Sequence, residues 1–289
     1  MQDIFKDGRT VFSSGEDIQM VYYRQEQAAE KSSLQLEESI LSFVLQGKKI
    51  LYHPQGKQEI RSGEGFFMLR GNYLRTERLR DGVHGYEALV IRLSDSFLAS
   101  LTGIGFSDTV LSVGAAPEPV MLLKQDILLN GLVTQLCQYF HSPGEKARLD
   151  AILPLKIREL LVLLVTSKVN GGLDILLKHG QSLPASSLHT LMEAHFREQL
   201  SLEQLAFLAG LSLSSFKRKF ETTYHMPPRR WIQQRRLKEA YALLGDRNRN
   251  VTEVAFEVGF ESLPHFVQAF KQEYHITPKQ RQLQELADA

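Results

Sequence analysis

Between residues 11 and 93 the apolar positions come in short runs: Ile18–Arg24, Ile40–Gln46, Lys48–Tyr52, Gln58–Arg61, Phe66–Arg70 and Tyr86–Leu93. Glycine and Asx turns separate them, and runs of this length predict strands. Gly47-Lys48 stands between two of them and predicts a tight hairpin. Many short strands with regular turns favour a small barrel or sandwich over a βαβ fold. A short helix is expected over 94–102, begun by Ser94 or Asp95. Beyond it the period lengthens. Met121, Leu122, Leu128, Leu129, Leu132, Leu136 and Phe140 predict an amphipathic helix over 119–141, and a second follows over 146–169. His141-Ser142-Pro143-Gly144 breaks the two apart, Asn170-Gly171-Gly172 ends the second, and Gly180–Ala185 reads as a linker. The second helix is apolar around much of its girth, which places it in a core or an interface.

Past the linker the pattern repeats itself. Phe216, Phe220, Tyr224, His225 and Pro228 recur 50 residues later as Phe266, Phe270, Tyr274, His275 and Pro278. Upstream, Ala206-Phe207-Leu208-Ala209-Gly210-Leu211 is echoed by Ala255-Phe256-Glu257-Val258-Gly259-Phe260. Each copy reads as a short helix, a glycine turn and a second helix with Phe four apart on its buried face. That is the sequence form of a helix-turn-helix. Ser201 with Gln204, and Asn250 with Glu253, carry capping-box signals. Pro227-Pro228 starts a linking helix to Leu244, Gly245 suits its end, and Thr277-Pro278 starts the last helix. At 1.5 Å per residue the linking helix spans about 24 Å, enough to hold two units at a fixed separation.

Composition changes this picture only in part. With 289 residues, 43% of them hydrophobic, the chain can build two cored domains. The single cysteine, Cys137, excludes an internal disulfide and suits a reducing cytoplasm. It reads as packed core among Leu132, Leu136 and Phe140. The first ten residues lack an apolar signal core, and no run approaches a membrane span. The net charge of +1 does not announce nucleic acid, but its distribution does. Lys217, Arg218, Lys219, Arg229, Arg230, Arg235, Arg236 and Lys238 face one acid, Glu221, within one stretch. Such a stripe is what phosphate contact needs, and duplex DNA is the expected partner.

The second copy resembles the signature of the AraC/XylS family of bacterial transcription regulators. The resemblance is carried by Val254-Ala255-Phe256-Glu257-Val258-Gly259-Phe260-Glu261-Ser262, His265-Phe266, and Ala269-Phe270-Lys271 to Pro278. Arg236-Leu237-Lys238-Glu239-Ala240 with Leu243-Leu244, and Ser201 to Phe220, resemble the same family; the likeness runs from Leu188 to Gln282. Pro154-Leu155-Lys156-Ile157-Arg158-Glu159-Leu160-Leu161 is similar to a segment of the family's type III secretion activators. The resemblance implies an α+β chain. A cupin-like β-barrel for sensing would occupy 1–110, a helical dimerisation region 111–180, and an all-α DNA-binding domain with two helix-turn-helix units 181–289. It also implies a cytoplasmic homodimer that works with RNA polymerase and answers to a small-molecule or protein effector. The alternative is that the N-terminal part is purely a protein-interaction and dimerisation module.

In a helix-turn-helix the second helix enters the major groove. With Phe216 and Phe220 inward, Ser214, Lys217 and Arg218 face out in the first unit; Lys217 and Arg218 suit guanine O6 and N7. In the second unit the outward set includes His265, Val267, Gln268 and Lys271. Gln268 suits adenine and Val267 a thymine methyl. The family usually places Asp or Gln and Ser where this chain has Leu263 and Pro264. Direct readout is therefore expected more from the first unit, and positioning more from the second. Arg229, Arg230, Arg235 and Arg236 either solvate the linking helix or touch phosphate. His189, Glu193 and His195 lack one-face spacing and read as a polar helix surface. The remaining histidines are scattered, so neither a metal nor a cofactor is expected. An enzyme built on the barrel is the competing class, and the missing metal ligands argue against it.

Overall fold

A computed structural model describes residues 11–14, 16–25, 31–78, 85–100, 118–141, 146–167, 170, 187–246 and 248–284. The expected linker at Gly180–Ala185, and the break at Ser142–Gly144, lie outside them. The chain divides into two compact units, Met1–Ala185 and Ser186–Ala289.

Among the described residues the first unit holds ten strands: β1 (Val11–Ser14), β2 (Ile18–Gln25), β3 (Ser32–Leu36), β4 (Ile40–Gln46), β5 (Lys48–His53), β6 (Gly56–Arg61), β7 (Glu64–Met68), β8 (Gly71–Arg78), β9 (Tyr86–Leu93) and β10 (Val120–Lys124). They form two sheets, ordered β1-β2-β9-β4-β7-β10 and β3-β8-β5-β6, and every pairing is antiparallel. The cupin-like barrel that the family resemblance implied is not confirmed: the described strands form two sheets and do not close into one ring. The expected hairpin at Gly47-Lys48 is also absent: β4 and β5 lie in different sheets, and Gly47, at φ 80°, turns the chain from one to the other. The tight hairpin is β5–β6, where His53 pairs with Gly56.

The larger sheet is covered on both faces, and this explains its unbroken apolar runs. Alternate residues go to alternate cores. Ile40, Val44, Phe66, Met68, Ala88 and Val90 meet Leu34, Leu51, Ile60 and Tyr73 of the smaller sheet. Leu41, Phe43, Phe67, Leu89 and Ile91 meet two helices on the other face, α2 (Ile127–Gln138) and α3 (Lys146–Thr166). A shorter helix, α1 (Asp95–Ser100), is capped by Ser94, whose Oγ accepts from the Phe97 N–H at 3.0 Å.

The helix expected over 119–141 is divided. Its first residues pair as β10 with β7, and α2 begins only after Asp126, which accepts from the Leu129 N–H at 2.9 Å. Asn170 holds the end of β10 with both side-chain atoms. Its Oδ1 accepts from Lys124 N at 2.9 Å, and its Nδ2 donates to Lys124 O at 3.1 Å. Leu153, Ile157, Leu160, Leu161 and Leu164 of α3 are core residues, whereas Ile127, Leu128 and Leu155 are exposed at 88%, 64% and 67%.

The second unit is helical: α4 (Leu188–His195), α5 (Leu202–Leu208), α6 (Leu213–Tyr224), α7 (Pro228–Leu243), α8 (Val251–Glu257), α9 (Leu263–Tyr274) and α10 (Pro278–Gln284). Among the described residues no helix is long and apolar enough to cross a membrane.

Candidate nucleic-acid interface

The two repeats fold alike because the same residues punctuate them. Ser201 and Gln204 complete a reciprocal capping box at α5. Asn250 accepts from Thr252 N at 2.7 Å and from Glu253 N at 3.4 Å at the start of α8. Each first helix then ends in a Schellman pair. Leu211 N donates to Ala206 O and Gly210 N to Phe207 O; Phe260 N donates to Ala255 O and Gly259 N to Phe256 O. The motif needs a left-handed residue, and Gly210 (φ 68°) and Gly259 (φ 98°) supply it. His225 and His275 close the second helices at φ 54° and 61°, a conformation that histidine visits more readily than most residues, and this accounts for the repeated Tyr-His pair.

The paired phenylalanines are fully buried. Phe220 stacks on Tyr224 at 4.5 Å between ring centroids and meets Trp231 of α7 edge-on at 6.1 Å. Phe270 lies 4.9 Å from Tyr274 and stacks on Tyr241 of α7 at 6.1 Å. One linking helix therefore supports both units, with Leu237, Ala240 and Leu244 in the second unit's core.

Burying these faces turns the opposite ones outward. Ser214, Lys217 and Arg218 are exposed on α6; His265, Gln268 and Lys271 are exposed on α9. Ser214, Arg218 and Glu221 correspond, 50 residues on, to Pro264, Gln268 and Lys271, and all six are exposed. Val267 differs from the rest of the expected outward set: it is half-buried and packs against the hydrophobic core beside Leu263. The His265 ring sits 5.5 Å from that of Phe260. Ser212 caps α6 by accepting from Ser215 N, but Ser262 makes no side-chain cap at α9, where Pro264 occupies the first turn.

The basic stripe is thinner than the sequence suggested. Lys217, Arg218, Lys219, Arg229, Arg230 and Lys238 are exposed. Arg235 instead donates to both oxygens of Glu193 at 3.0 Å and to Glu239 at 2.9 Å. Arg236 turns inward and donates to the carbonyls of Phe196 (2.5 Å), Gly259 (2.5 Å) and Glu198 (2.9 Å). His195, read as part of a polar helix surface, is buried. Glu193 gave no sequence signal as an ion-pair partner, because its mate lies 42 residues away. Within the second compact unit, a cleft of 320 Å³ opens between the two helix-turn-helix units beside Gln199, Ser201, Arg229, Gln233 and His265.

Two exposed helix faces of equal register on one shared helix define a double helix-turn-helix DNA-binding protein. Residues 205–283 match the family model of a helix-turn-helix domain, and residues 39–174 match that of the ExsA N-terminal regulatory domain. The chain is 28% identical over 252 residues to the virulence regulon transcriptional activator VirF of Yersinia enterocolitica, covering 86% of this chain and 90% of that one. It is 29% identical over 222 residues to the HTH-type transcriptional regulator ExsA of Pseudomonas aeruginosa, covering 75% and 76%. A solved AraC-type regulator from Chromobacterium violaceum is 28% identical over 35% of this chain and 89% of its own, with a TM-score of 0.32. The chain thus carries an AraC-type helix-turn-helix domain and an ExsA-type N-terminal domain, and it is similar to AraC-family transcription regulators over most of its length.

Proposed function

We propose that this protein is a transcription activator whose α6 and α9 enter two successive major grooves on one face of duplex DNA. The observation that carries this reading is the matched exposure of α6 and α9 on a common linking helix. Arg218 and Lys217 would read guanine, with Ser214 beside them, and Gln268 would read adenine. His265 and Lys271 would hold the backbone of the second half-site. Val267, packed against the core, props α9 and reaches at most one thymine methyl. Because the units are tandem, each subunit's site is asymmetric.

Activation is supported by the likeness to VirF, which is named as an activator. The match over 39–174 supports a regulatory role for the first unit, answering to a small-molecule or protein effector. The exposed Ile127, Leu128 and Leu155 support a homodimer formed through α2 and α3, bound to DNA in the cytoplasm with RNA polymerase as the onward partner. Leu161 is not part of that surface, since it is buried within its own subunit's core.

The test compares Arg218→Ala with Lys271→Ala on a selected site over a range of salt. Arg218→Ala should cost about 1–3 kcal/mol and relax the preference at one base. Lys271→Ala should weaken all sequences alike and lower the salt slope by about 1. Equal loss on specific and non-specific DNA for Arg218→Ala would make it a phosphate contact and overturn its assignment as a base reader.

A further inference from the structure

We propose that Arg236 is a positioning residue that sets the spacing at which the two recognition helices meet DNA. The inference rests on the DNA-binding reading above and assigns to this side chain the selection of distance and phase between half-sites.

Arg236 has the composition of a DNA-contact residue but none of the geometry. It stands in the middle of the basic stripe, yet its guanidinium is turned between the two helix-turn-helix units and directed at three carbonyls. Phe196 and Glu198 lie in the segment that leads from α4 into the first helix-turn-helix. Gly259 is the turn of the second. The planar fork thus joins the entry of one unit to the turn of the other. A lysine ammonium, a point donor on a flexible stem, does not reproduce that geometry. Burial pulls the Arg236 pKa down from its ordinary value. An arginine stays charged regardless, so the carbonyls receive charge-assisted bonds, which are the stronger kind.

Two further features converge on the same turn. Gln199 Nε2 donates to the same Gly259 carbonyl at 2.6 Å, a second link from the first unit to the second. Gly259 itself permits the approach: a Cβ there would stand 2.5 Å from Arg197 O and 2.9 Å from the Arg236 guanidinium carbon. The helix that carries Arg236 is in turn bolted to α4 and the segment that follows it. Arg235 pairs with Glu193 and Glu239, Arg197 pairs with Glu239, and the Arg235 guanidinium lies 4.3 Å over the Phe196 ring. None of these groups belongs to the core around Phe266 and Phe270. The cores fold each unit, and the Arg236–Gln199–Gly259 contacts fix one unit against the other.

Spacing is a demanding quantity on DNA. Adding one base pair between half-sites shifts the second by about 3.4 Å and rotates it by about 36°. A lock made of bonds of 2.5–2.9 Å cannot follow such a change without breaking.

The experiment uses the full chain and the site it selects from random duplexes, rebuilt with one base pair removed, or one or two added, between the half-sites. Wild-type protein should lose about tenfold or more on each altered spacing. Arg236→Lys and Arg236→Met should bind the original spacing more weakly and flatten the profile across the series. Gln199→Ala should flatten it in part. A variant that merely loosened the fold would weaken every spacing by one factor and leave the profile steep, and that result would overturn the inference. If the Arg236 variants fail to fold by circular dichroism, Gln199→Ala, at an exposed position, decides alone: a wild-type profile overturns the lock. If wild-type protein binds no two-part site at any spacing, the DNA-binding reading itself fails. If wild-type and variants discriminate equally, only the lock fails.

Discussion

Phe270→Ala removes a ring from the middle of the second helix-turn-helix, and its cost follows from what that ring touches. Phe270 is fully buried, with Phe266 at 5.6 Å, Tyr274 at 4.9 Å and Tyr241 at 6.1 Å between ring centroids. A phenylalanine buries about 150–250 Å², so at about 25 cal/mol per Å² full burial is worth about 4–6 kcal/mol. Alanine keeps the Cβ, while the cavity and the lost ring contacts add to the loss, giving about 3–5 kcal/mol. Typical domains are stable by about 5–15 kcal/mol, so this one change consumes a large part of the total. The assay is urea unfolding of the full chain followed by Trp231 fluorescence. Trp231 is the sole tryptophan. It reports on the second compact unit from α7, where it packs on Phe220 and Tyr224 of the first helix-turn-helix. Because α7 supports both helix-turn-helix units, the Trp231 midpoint should fall by the full amount although Phe270 lies in the other one. A shift worth under about 1 kcal/mol, or a Trp231 transition that stays in place while DNA binding is lost, would refute the shared-core reasoning.

Other consequences are independent of that one. Hydrogen bonds from Arg235, then Arg197, hold the Glu239 carboxyl below its ordinary value of 4.5. A depressed folded pKa contributes stability above the unfolded pKa and loses it as pH falls through the folded one. The advantage of wild type over Glu239→Gln should therefore be full at pH 7 and fade below about pH 4.5; urea midpoints across pH would show it, and a pH-independent gap would exclude the pairing. Burial pushes the Cys137 thiol up to about 11, so at pH 8 roughly a thousandth is thiolate, and native protein should react with a thiol reagent far more slowly than unfolded protein. Equal rates would mean that the thiol is not packed. Leu155→Asp should shift sedimentation toward monomer with both units folded, and an unchanged dimer would move the interface elsewhere.

The second unit was legible in the sequence because its rules are local. Glycine turns, caps and Phe pairs act within a few residues, and they give α5, α6, α8 and α9 at the expected places. One local signal was missed: Gln280 Oε1 accepts from Thr277 N at 2.8 Å, completing a capping box at α10. The first unit was less legible for a physical reason. Tyr86–Leu93 and Ile40–Gln46 are buried on both faces, so alternation, the usual guide to which face is inward, is erased. The polar strands Ser32–Leu36 and Gly71–Arg78 carry little apolar signal, and Val120–Lys124 passed for the first turn of a helix. The candidate interface was read from helix periodicity, which located Ser214, Lys217, Arg218, His265, Gln268 and Lys271 on exposed positions. Periodicity alone did not separate stripe arginines that face out from Arg235 and Arg236, whose partners lie 38 to 42 residues away for Phe196, Glu198 and Glu193.

The most direct measurement is selection of random duplex fragments with purified full-length protein at stated salt, followed by hydroxyl-radical footprinting of the winner. The winner should carry one asymmetric motif for each subunit, protected on one face of the DNA at two successive major grooves about one helical turn apart. A palindromic motif with a single protected groove in each half, or no enrichment at any salt, would contradict it.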